Sequence, residues 1–414
     1  MTSDKRKFDI VLYGASSFVG QIITGYLATR LEAGSWAVAG RNPDKLRRVL
    51  AQHKCENTPV LTADANDSDA LTKMCEQTSV VISTVGPYAL YGEGVVKACA
   101  HTGTGYVDLT GEPHWIKQMQ SRYQDIAQAN GAQLVHCCGF DSVPSDMGVY
   151  FLQQHTIANT GKPCDDIAMR VHRIKGGASG GTVASILNLV EEAQRDKNIR
   201  KQLADPYLLC NSPATRIRQP NVKKACYDPV THRWIAPFIM AAINTRVVHW
   251  SNSLRNYPYT EQFTYEEAIV TGRGRKGAVR GWTMTLGLGG FMLAASSKLL
   301  RKLLQKHWLP KPGEGPSHKA QQQGYYDIRF YGATSAQRQF VARVTGDRDP
   351  GYGSTAKMIS ECAILLSQQR QKNSELAGGV MSPSVCFGAS IIEPLTTYAG
   401  LRFEILPSHS AADM

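Results

Sequence analysis

The chain carries ten cysteines, yet it has no Cys-x-x-Cys pair and no cysteine–histidine cluster at zinc spacing. That excludes a zinc-ribbon or zinc-finger scaffold. Cys55, Cys75, Cys99, Cys137, Cys138, Cys164, Cys210, Cys226, Cys362 and Cys386 read instead as reduced, mostly buried thiols of a cytoplasmic protein. No metal is expected. The opening residues, Met-Thr-Ser-Asp-Lys-Arg-Lys, lack an apolar signal core, so secretion is not expected either. The glycine-rich stretch from Gly176 to Thr182 lacks the Gly-Lys-Ser/Thr ending of a nucleoside-triphosphate loop, which leaves tight backbone packing or substrate contact as its reading. Internal repeats and long low-complexity tracts are absent.

A further absence is local. No acidic residue stands between Ala268 and Gly313, while Arg273, Arg275, Lys276, Arg280, Lys298, Arg301, Lys302, Lys306 and Lys311 supply +9 of a net charge of +12. Inside this segment lies an uncharged, glycine-rich run, 281–297. As a helix it spans about 25 Å at 1.5 Å per residue, short of the roughly 30 Å hydrocarbon layer, so a full membrane span is not expected. The next residues, Lys298-Leu-Leu-Arg-Lys-Leu-Leu-Gln-Lys-His-Trp, place their leucines on one helical face. A short apolar helix beside a basic amphipathic one fits attachment at an anionic lipid surface, or docking of an acidic carrier protein. An internal apolar helix capped by a solvated basic one is the plainer alternative. Without basic–aromatic interleaving, nucleic acid is not an expected partner.

What the chain does have is room: 414 residues with 43% apolar content suffice for two domains with their own cores. Phe8 to Tyr13 is a buried strand that runs into Gly14-Ala15-Ser16-Ser17-Phe18-Val19-Gly20 and a helix. Gly14 can make the tight turn and Gly20 lets the helix approach the sheet, so the amides of the helix N-terminus face the place of a dinucleotide pyrophosphate. Ser17 stands where a third glycine is usual. It can present its amide and hydroxyl, although its β-carbon narrows the approach.

A second apolar run, Trp36 to Ala39, ends in Gly40-Arg41-Asn42-Pro43, where an enzyme reading a ribose 2′-hydroxyl would carry Asp or Glu. A guanidinium at Arg41 suits a 2′-phosphate by forked hydrogen bonding, which favours NADPH over NADH; a solvated arginine at a helix start is the alternative. Strands are expected at 59–62, 80–84, 106–109 and 133–138, with helices at 67–76, 91–101 and 113–130 between them. This alternation implies right-handed crossovers and a parallel sheet. A composition break near 159–165 opens a second domain with a strand at 167–175 and a helix to about Arg195. A linker, 309–324, precedes a strand pair at 325–331 and 338–345, then a helix at 355–369 and a tail containing Val385 to Thr397.

The chain resembles the saccharopine dehydrogenase-like oxidoreductases, and within them the branch that includes the trans-acting enoyl reductases of lipid and polyketide biosynthesis. The resemblance is carried by Gly14 to Gly20, Gly40-Arg41-Asn42, Val85-Gly86-Pro87-Tyr88 with Tyr91-Gly92, and the stretch from Tyr106 through Gly111-Glu112 to His136-Cys-Cys-Gly-Phe-Asp141-Ser-Val-Pro-Ser-Asp146. It continues in Pro237 to Asn244, Gly351-Tyr-Gly353 and Gly378 to Pro383. The resemblance implies an NADP-binding Rossmann domain (1–158), a doubly wound parallel sheet. It also implies an α/β substrate domain with a mixed sheet (159–350, including the basic and apolar segment 270–310), and a C-terminal helix and tail returning to the first domain (351–414). NADPH and reduction of an enoyl double bond on a lipid or polyketide-type acyl chain are the implied cofactor and reaction. An imine or keto-acid oxidoreductase of the wider family, and a non-catalytic nucleotide-binding protein at a lipid surface, are the other readings. A homodimer is among the assemblies left open.

Ligands of a doubly wound sheet bind outside the carboxyl ends of its strands. Two loops qualify there, Val85-Gly86-Pro87-Tyr88 beside the nicotinamide ribose and Cys138 to Ser142 after the sixth strand. Hydride addition to an enoyl thioester puts charge on the carbonyl oxygen and then needs a proton at the α-carbon. Tyr88, expected to stand unburied at a strand end, is the first candidate for proton donor or oxyanion contact, with packing on the cofactor as its alternative. Asp141 can orient the nicotinamide carboxamide or cap the helix near Pro144. His136 reads as a hydrogen-bonded core histidine, Cys137 and Cys138 as packing. Asn244 and Arg246 are expected to face the cleft from the second domain.

Overall fold

A computed structural model describes residues 6–176, 180–211, 216–307, 315–373 and 376–407. The first half alternates strand and helix in chain order: β1 (Phe8–Tyr13), α1 (Phe18–Arg30), β2 (Trp36–Gly40), α2 (Pro43–Gln52), β3 (Val60–Thr62), α3 (Ser68–Glu76), β4 (Thr78–Ser83), α4 (Tyr88–Tyr91), α5 (Glu93–Thr102), β5 (Gly105–Asp108), α6 (Pro113–Asn130), β6 (Gln133–Val135) and α7 (Val143–Thr160). The second domain follows with β7 (Asp166–Lys175), α8 (Gly180–Arg195), α9 (Lys197–Ala204), β8 (Cys226–Asp228), β9 (Arg233–Pro237), α10 (Ala241–Leu254), β10 (Thr264–Gly272), α11 (Gly274–Ser296), α12 (Lys298–His307), α13 (His318–Gln322), β11 (Tyr325–Ala333) and β12 (Gln339–Gly346). The chain ends in α14 (Thr355–Lys372), β13 (Gly379–Met381), α15 (Pro383–Phe387), α16 (Ile392–Thr397) and β14 (Leu401–Leu406).

Two seven-stranded sheets result. The first, in the order β13-β6-β5-β4-β1-β2-β3, is parallel throughout. Its strands are nearly continuous apolar runs because helices cover both faces, and Ile10, Val11 and Leu12 are fully buried. The order reverses between β1 and β4, so the loops after these two strands flank the switch-point crevice. The second sheet, β14-β12-β11-β7-β10-β9-β8, is mixed: β7 and β10 run parallel and the other neighbours antiparallel.

Local chemistry explains the boundaries. Pro113 opens α6, and Gly131 closes it at φ 66 in the left-handed region. Strand β6 ends at Val135, three residues before its expected end, because Cys137 turns the chain at φ 64. The tail divides between the sheets: α14 packs on α1, β4 and β5, and β13 extends the parallel sheet. Strand β14 instead pairs with β12 in the second sheet, so the whole of 351–414 does not return to the first domain as expected from the sequence. All ten cysteines are free thiols, seven of them buried. Among the described residues no group of His, Cys, Asp and Glu could hold a metal, and no helix is long and apolar enough to cross a membrane.

Candidate active site

The turn after β1 is built as a cradle that side chains would fill. Gly14 has φ +91, and a β-carbon there would stand 2.7 Å from Thr84 Oγ1 and 2.8 Å from Val85 Cγ2. One on Gly20 would stand 2.3 Å from the Gly14 carbonyl. Both positions therefore require glycine. Ser17 is the N-cap of α1: its hydroxyl accepts from the Gly20 amide at 2.9 Å and pairs with Thr84 Oγ1 at 3.0 Å, while its own amide donates to Gly14 O. The hydroxyl is thus engaged in the turn, not held ready for a phosphate oxygen. The amides of Phe18 and Val19, at the first two helical positions, have no carbonyl one turn back to bond, and the helix dipole lies behind them. Ala15 is buried beneath this turn and Ser16 is exposed beside it.

Arg41 stands exposed at the carboxyl end of β2, and among the described residues no hydrogen bond or ion pair engages its guanidinium. Asn42 accepts from the Lys45 amide at 3.0 Å and so caps α2. The glycine cradle, the open helix start and the unengaged guanidinium about one strand away fit a dinucleotide carrying a 2′-phosphate. Gly14, Phe18, Val19 and Arg41 are the residues that would hold it. A groove of about 700 Å³ runs from Phe18 along the outer flank of α1 past Gln21, Gly25, His53 and Arg348.

Tyr88 corrects the expectation of an unburied strand-end tyrosine. It is 5% exposed, its hydroxyl donates to Ser83 O at 3.0 Å and accepts from the Leu109 amide at 3.1 Å, and its ring packs on Trp115. Burial pushes its phenol well above the usual range, with Asp108 adding to the effect. The turn that carries it is held from below: Glu112, buried, accepts from the Tyr88 and Ala89 amides at 3.0 and 2.9 Å and from Ser185 Oγ at 3.0 Å. Beside it Asp108 takes four donors or partners, the Cys137 and Thr110 amides, Tyr106 OH and His136 Nδ1. His136 is fully buried against Trp115 and Tyr106 as a core histidine, and Cys137 and Cys138 are buried too.

The second loop differs. Cys137 and Ser142 both have positive φ, 64° and 103°, conformations that cost a non-glycine residue energy and tend to mark sites where geometry is imposed for function. Ser142, not Asp141, is the N-cap residue of α7, and it makes no side-chain cap bond. Asp141 therefore does not cap the helix. It is half-buried by area, walled by protein on its other sides, and among the described residues no hydrogen bond engages its carboxyl. Gly111 lies opposite, where an added β-carbon would stand 3.8 Å from Asp141 Oδ2. Burial alone pushes Asp141 up to about 7.

Behind Asp141 a buried polar chain joins the two domains. Ser142 Oγ donates to Asn244 Oδ1 at 3.1 Å, Asn244 Nδ2 donates to Glu267 Oε2 at 2.9 Å, and Tyr265 OH donates to Glu267 Oε1 at 2.8 Å. Asn244 is 1% exposed, so it supports the cleft from within and does not face it. Glu267, on β10, is absent from the sequence-level candidates. Burial, with the Asp141 charge adding to it, raises it to about 7 against three hydrogen-bond donors. The signal for it was the Glu266-Glu267 pair ahead of an apolar run, since strand alternation sends one of two adjacent residues inward. Arg246 also departs from expectation: it is buried and donates to the carbonyls of Asp205, Ala242 and Leu203, which staples α10 to the loop after α9. Gly176 abuts Pro350, while 177–179 of the glycine-rich stretch lie outside the described residues.

The chain has known relatives. The saccharopine dehydrogenase NADP-binding domain matches residues 10–135. A Mycobacterium tuberculosis protein provisionally named a trans-acting enoyl reductase is 38% identical over 408 residues, covering 95% of this chain and 97% of its own. The trans-acting enoyl reductase of Mycobacterium leprae is 34% identical over 413 residues with the same coverage. Among solved structures, apo saccharopine dehydrogenase (L-Glu forming) from Saccharomyces cerevisiae superposes with a TM-score of 0.53 at 13% identity, over 96% of this chain and all of that one, a likeness of fold.

Proposed function

The chain belongs to the trans-acting enoyl reductase family with its saccharopine dehydrogenase-type NADP-binding domain, and from that premise we propose that it is an NADPH-dependent reductase of an enoyl acyl chain. The observation that carries the reading is the nearly full-length match to proteins so named, joined to a cradle whose Arg41 suits a 2′-phosphate. NADPH, when bound, supplies the hydride that the carbon β to the acyl carbonyl receives. The chain's own part is to orient and to hold a proton. Asp141, protonated up to about pH 7, stands unengaged at the carboxyl end of β6 and is the group placed to deliver a proton to the α-carbon, with Glu267 and Asn244 fixing its loop from behind. Tyr88 and Glu112 shape the β4 turn and take no proton. A lipid or polyketide-type chain is the substrate class this reading takes, free or on a carrier.

The test is nucleotide titration followed by turnover. Wild-type protein is expected to bind NADPH more tightly than NADH, and Arg41→Ala to weaken NADPH binding about 10- to 100-fold, the span of a charge-assisted contact of roughly 1.5–3 kcal/mol, with little effect on NADH. NADPH oxidation with a panel of 2-enoyl thioesters is the second step. Binding without turnover on any enoyl thioester overturns the enoyl assignment, and failure to bind either nucleotide overturns the reductase.

A further inference from the structure

Between Val279 and Leu303, helices α11 and α12 leave a run of apolar side chains in water. Val279 is 66% exposed, Leu286 69%, Leu293 75% and Leu299 78%; Trp282, Met284, Met292, Leu300 and Leu303 are exposed as well. More than half of the large apolar residues exposed on the described molecule fall in these 25 positions. On α11 the spacing 279, 282, 286, 293 puts four of them on one face, and among the described residues nothing packs near Gly287, Gly289 or Gly290. On α12, Leu299, Leu300 and Leu303 share one side, flanked by exposed Lys298 and Lys302. Monomers rarely leave a contiguous stripe of this kind uncovered.

We infer that α11 and α12 form an interfacial docking surface for an anionic lipid bilayer, lying in the membrane plane with their leucines among the acyl chains. Charge complementarity selects this occupant. The segment has no carboxylate, and exposed Arg275, Lys276, Arg280, Lys298 and Lys302 border the apolar stripe, the arrangement that anionic headgroups reward at about 1 kcal/mol per basic residue. A second copy of the chain is disfavoured, because self-association would press two uncompensated basic segments together. A folded carrier protein needs a concave counterpart, whereas here the leucines protrude along two consecutive helices. At about 34 Å α11 is long, yet its charged first turns and glycine-rich middle make it a helix that lies on a membrane and does not cross one.

The surface is mechanically tied to the candidate active site. Helix α8 holds the α11–α12 junction through Gln194 to Ser296 O at 2.6 Å and Glu191 to Arg301 at 3.2 Å. On the same helix Ser185, farther back, bonds Glu112, and Glu192, beside the junction contacts, lies 2.9 Å from His114 Nε2. Arg301 is therefore an internal anchor and not a lipid contact. An apolar substrate dissolved in the bilayer would meet the protein on the side where α8 reaches the β4 turn. The docking surface stands on exposure and charge alone, so it does not depend on the reductase reading.

Flotation of the full-length protein with phosphatidylcholine vesicles, with and without phosphatidylglycerol, tests it. Binding is expected only with phosphatidylglycerol, to weaken with added salt, and to fall at least about tenfold in Lys298→Glu/Lys302→Glu and in Leu299→Ser/Leu303→Ser. NADPH-quenching titration and circular dichroism on the same variants report folding, and should the serine variant fail to fold, the charge-reversal variant carries the test. Absence of binding to anionic vesicles, or binding that neither variant changes, overturns the proposal. So does a dimer in light scattering that the serine variant dissolves, or capture of an acidic acyl carrier protein by a chain that ignores vesicles. A protein that floats yet reduces nothing removes the reductase and leaves the surface standing.

Discussion

Two aspartates end adjacent strands of the same parallel sheet and live in opposite circumstances. Asp108, closing β5, is fully buried and engaged by two amides, a phenol and an imidazole. Asp141, just past β6, reaches solvent and is engaged by nothing among the described residues. A carboxylate whose every lone pair is occupied holds loops in place; moving a proton through it would dismantle them. A carboxyl that burial destabilises as an anion, and that no donor compensates, keeps its proton to about pH 7 and can part with it. On the proposed reading, Asp108 belongs to the scaffold half of the strand-end rim and Asp141 to the half that does chemistry.

The sharpest way to break this contrast is Asp141→Asn. Turnover is expected to drop by at least about 10²-fold, the span of general acid catalysis, with the NADPH dissociation constant unchanged. In the wild type the proton-bearing form is lost above about pH 7, so kcat should be level below that pH and fall about tenfold per unit above it. Stopped-flow or steady-state NADPH oxidation across pH 5.5–9 reads both, pH values chosen to bracket the titration at about 7. An Asp141→Asn enzyme with wild-type turnover would put the two aspartates back in one class.

Less of this contrast was legible in sequence than the fold was. Helix α6 falls where Pro113 and Gly131 punctuate it, and the parallel strands fall where apolar runs alternate with helical patterns, because backbone punctuation and burial on two faces are local signals. The exposure of Tyr88 was not legible. Tyr88 follows Gly86-Pro87 and looks like an open strand end, but Glu112, 24 residues on, draws its turn inward, and no local pattern announces a pairing at that separation. Asp141 and Asn244 are both legible as candidates, yet Ser142 ties Asn244 to the Asp141 loop and Glu267 anchors it from behind, on a strand that the apolar pattern alone does not mark. Strand β14 was missed for a related reason: its side chains are only partly buried at a sheet edge, so alternation is weak.

A middle-sized effect separates the pair behind the chemistry from the scaffold. Glu267, like Asp141, is raised to about 7 by burial, whereas a carboxyl in the unfolded chain ionises near 4. Its folded pKa lies above its unfolded one, so its contribution to stability is complete below about pH 4 and is lost as pH rises through about 7. Glu267→Gln keeps the shape and removes the titration. Between pH 5 and pH 8 the wild type is expected to lose about 2 kcal/mol more than this variant, an order-of-magnitude figure at roughly 1.4 kcal/mol per unit of pH, measured by urea unfolding at each pH. Parallel curves would mean that the donors around Glu267 offset its burial.

The smallest effect tests the scaffold half. Tyr88→Phe removes one hydroxyl from a buried site where Ser83 O and the Leu109 amide both bond it, beside Trp115. Losing it should cost about 1–3 kcal/mol of unfolding free energy, the penalty of leaving buried backbone groups unpaired. Turnover, extrapolated to the folded fraction, should change less than about threefold, because the phenol points into the protein and its pKa is held far above any working pH. A tyrosine that donated the proton would give the reverse, a stable protein with a collapsed kcat. The two readings of the rim therefore part on a single substitution whose stability and rate effects are measured in the same preparation.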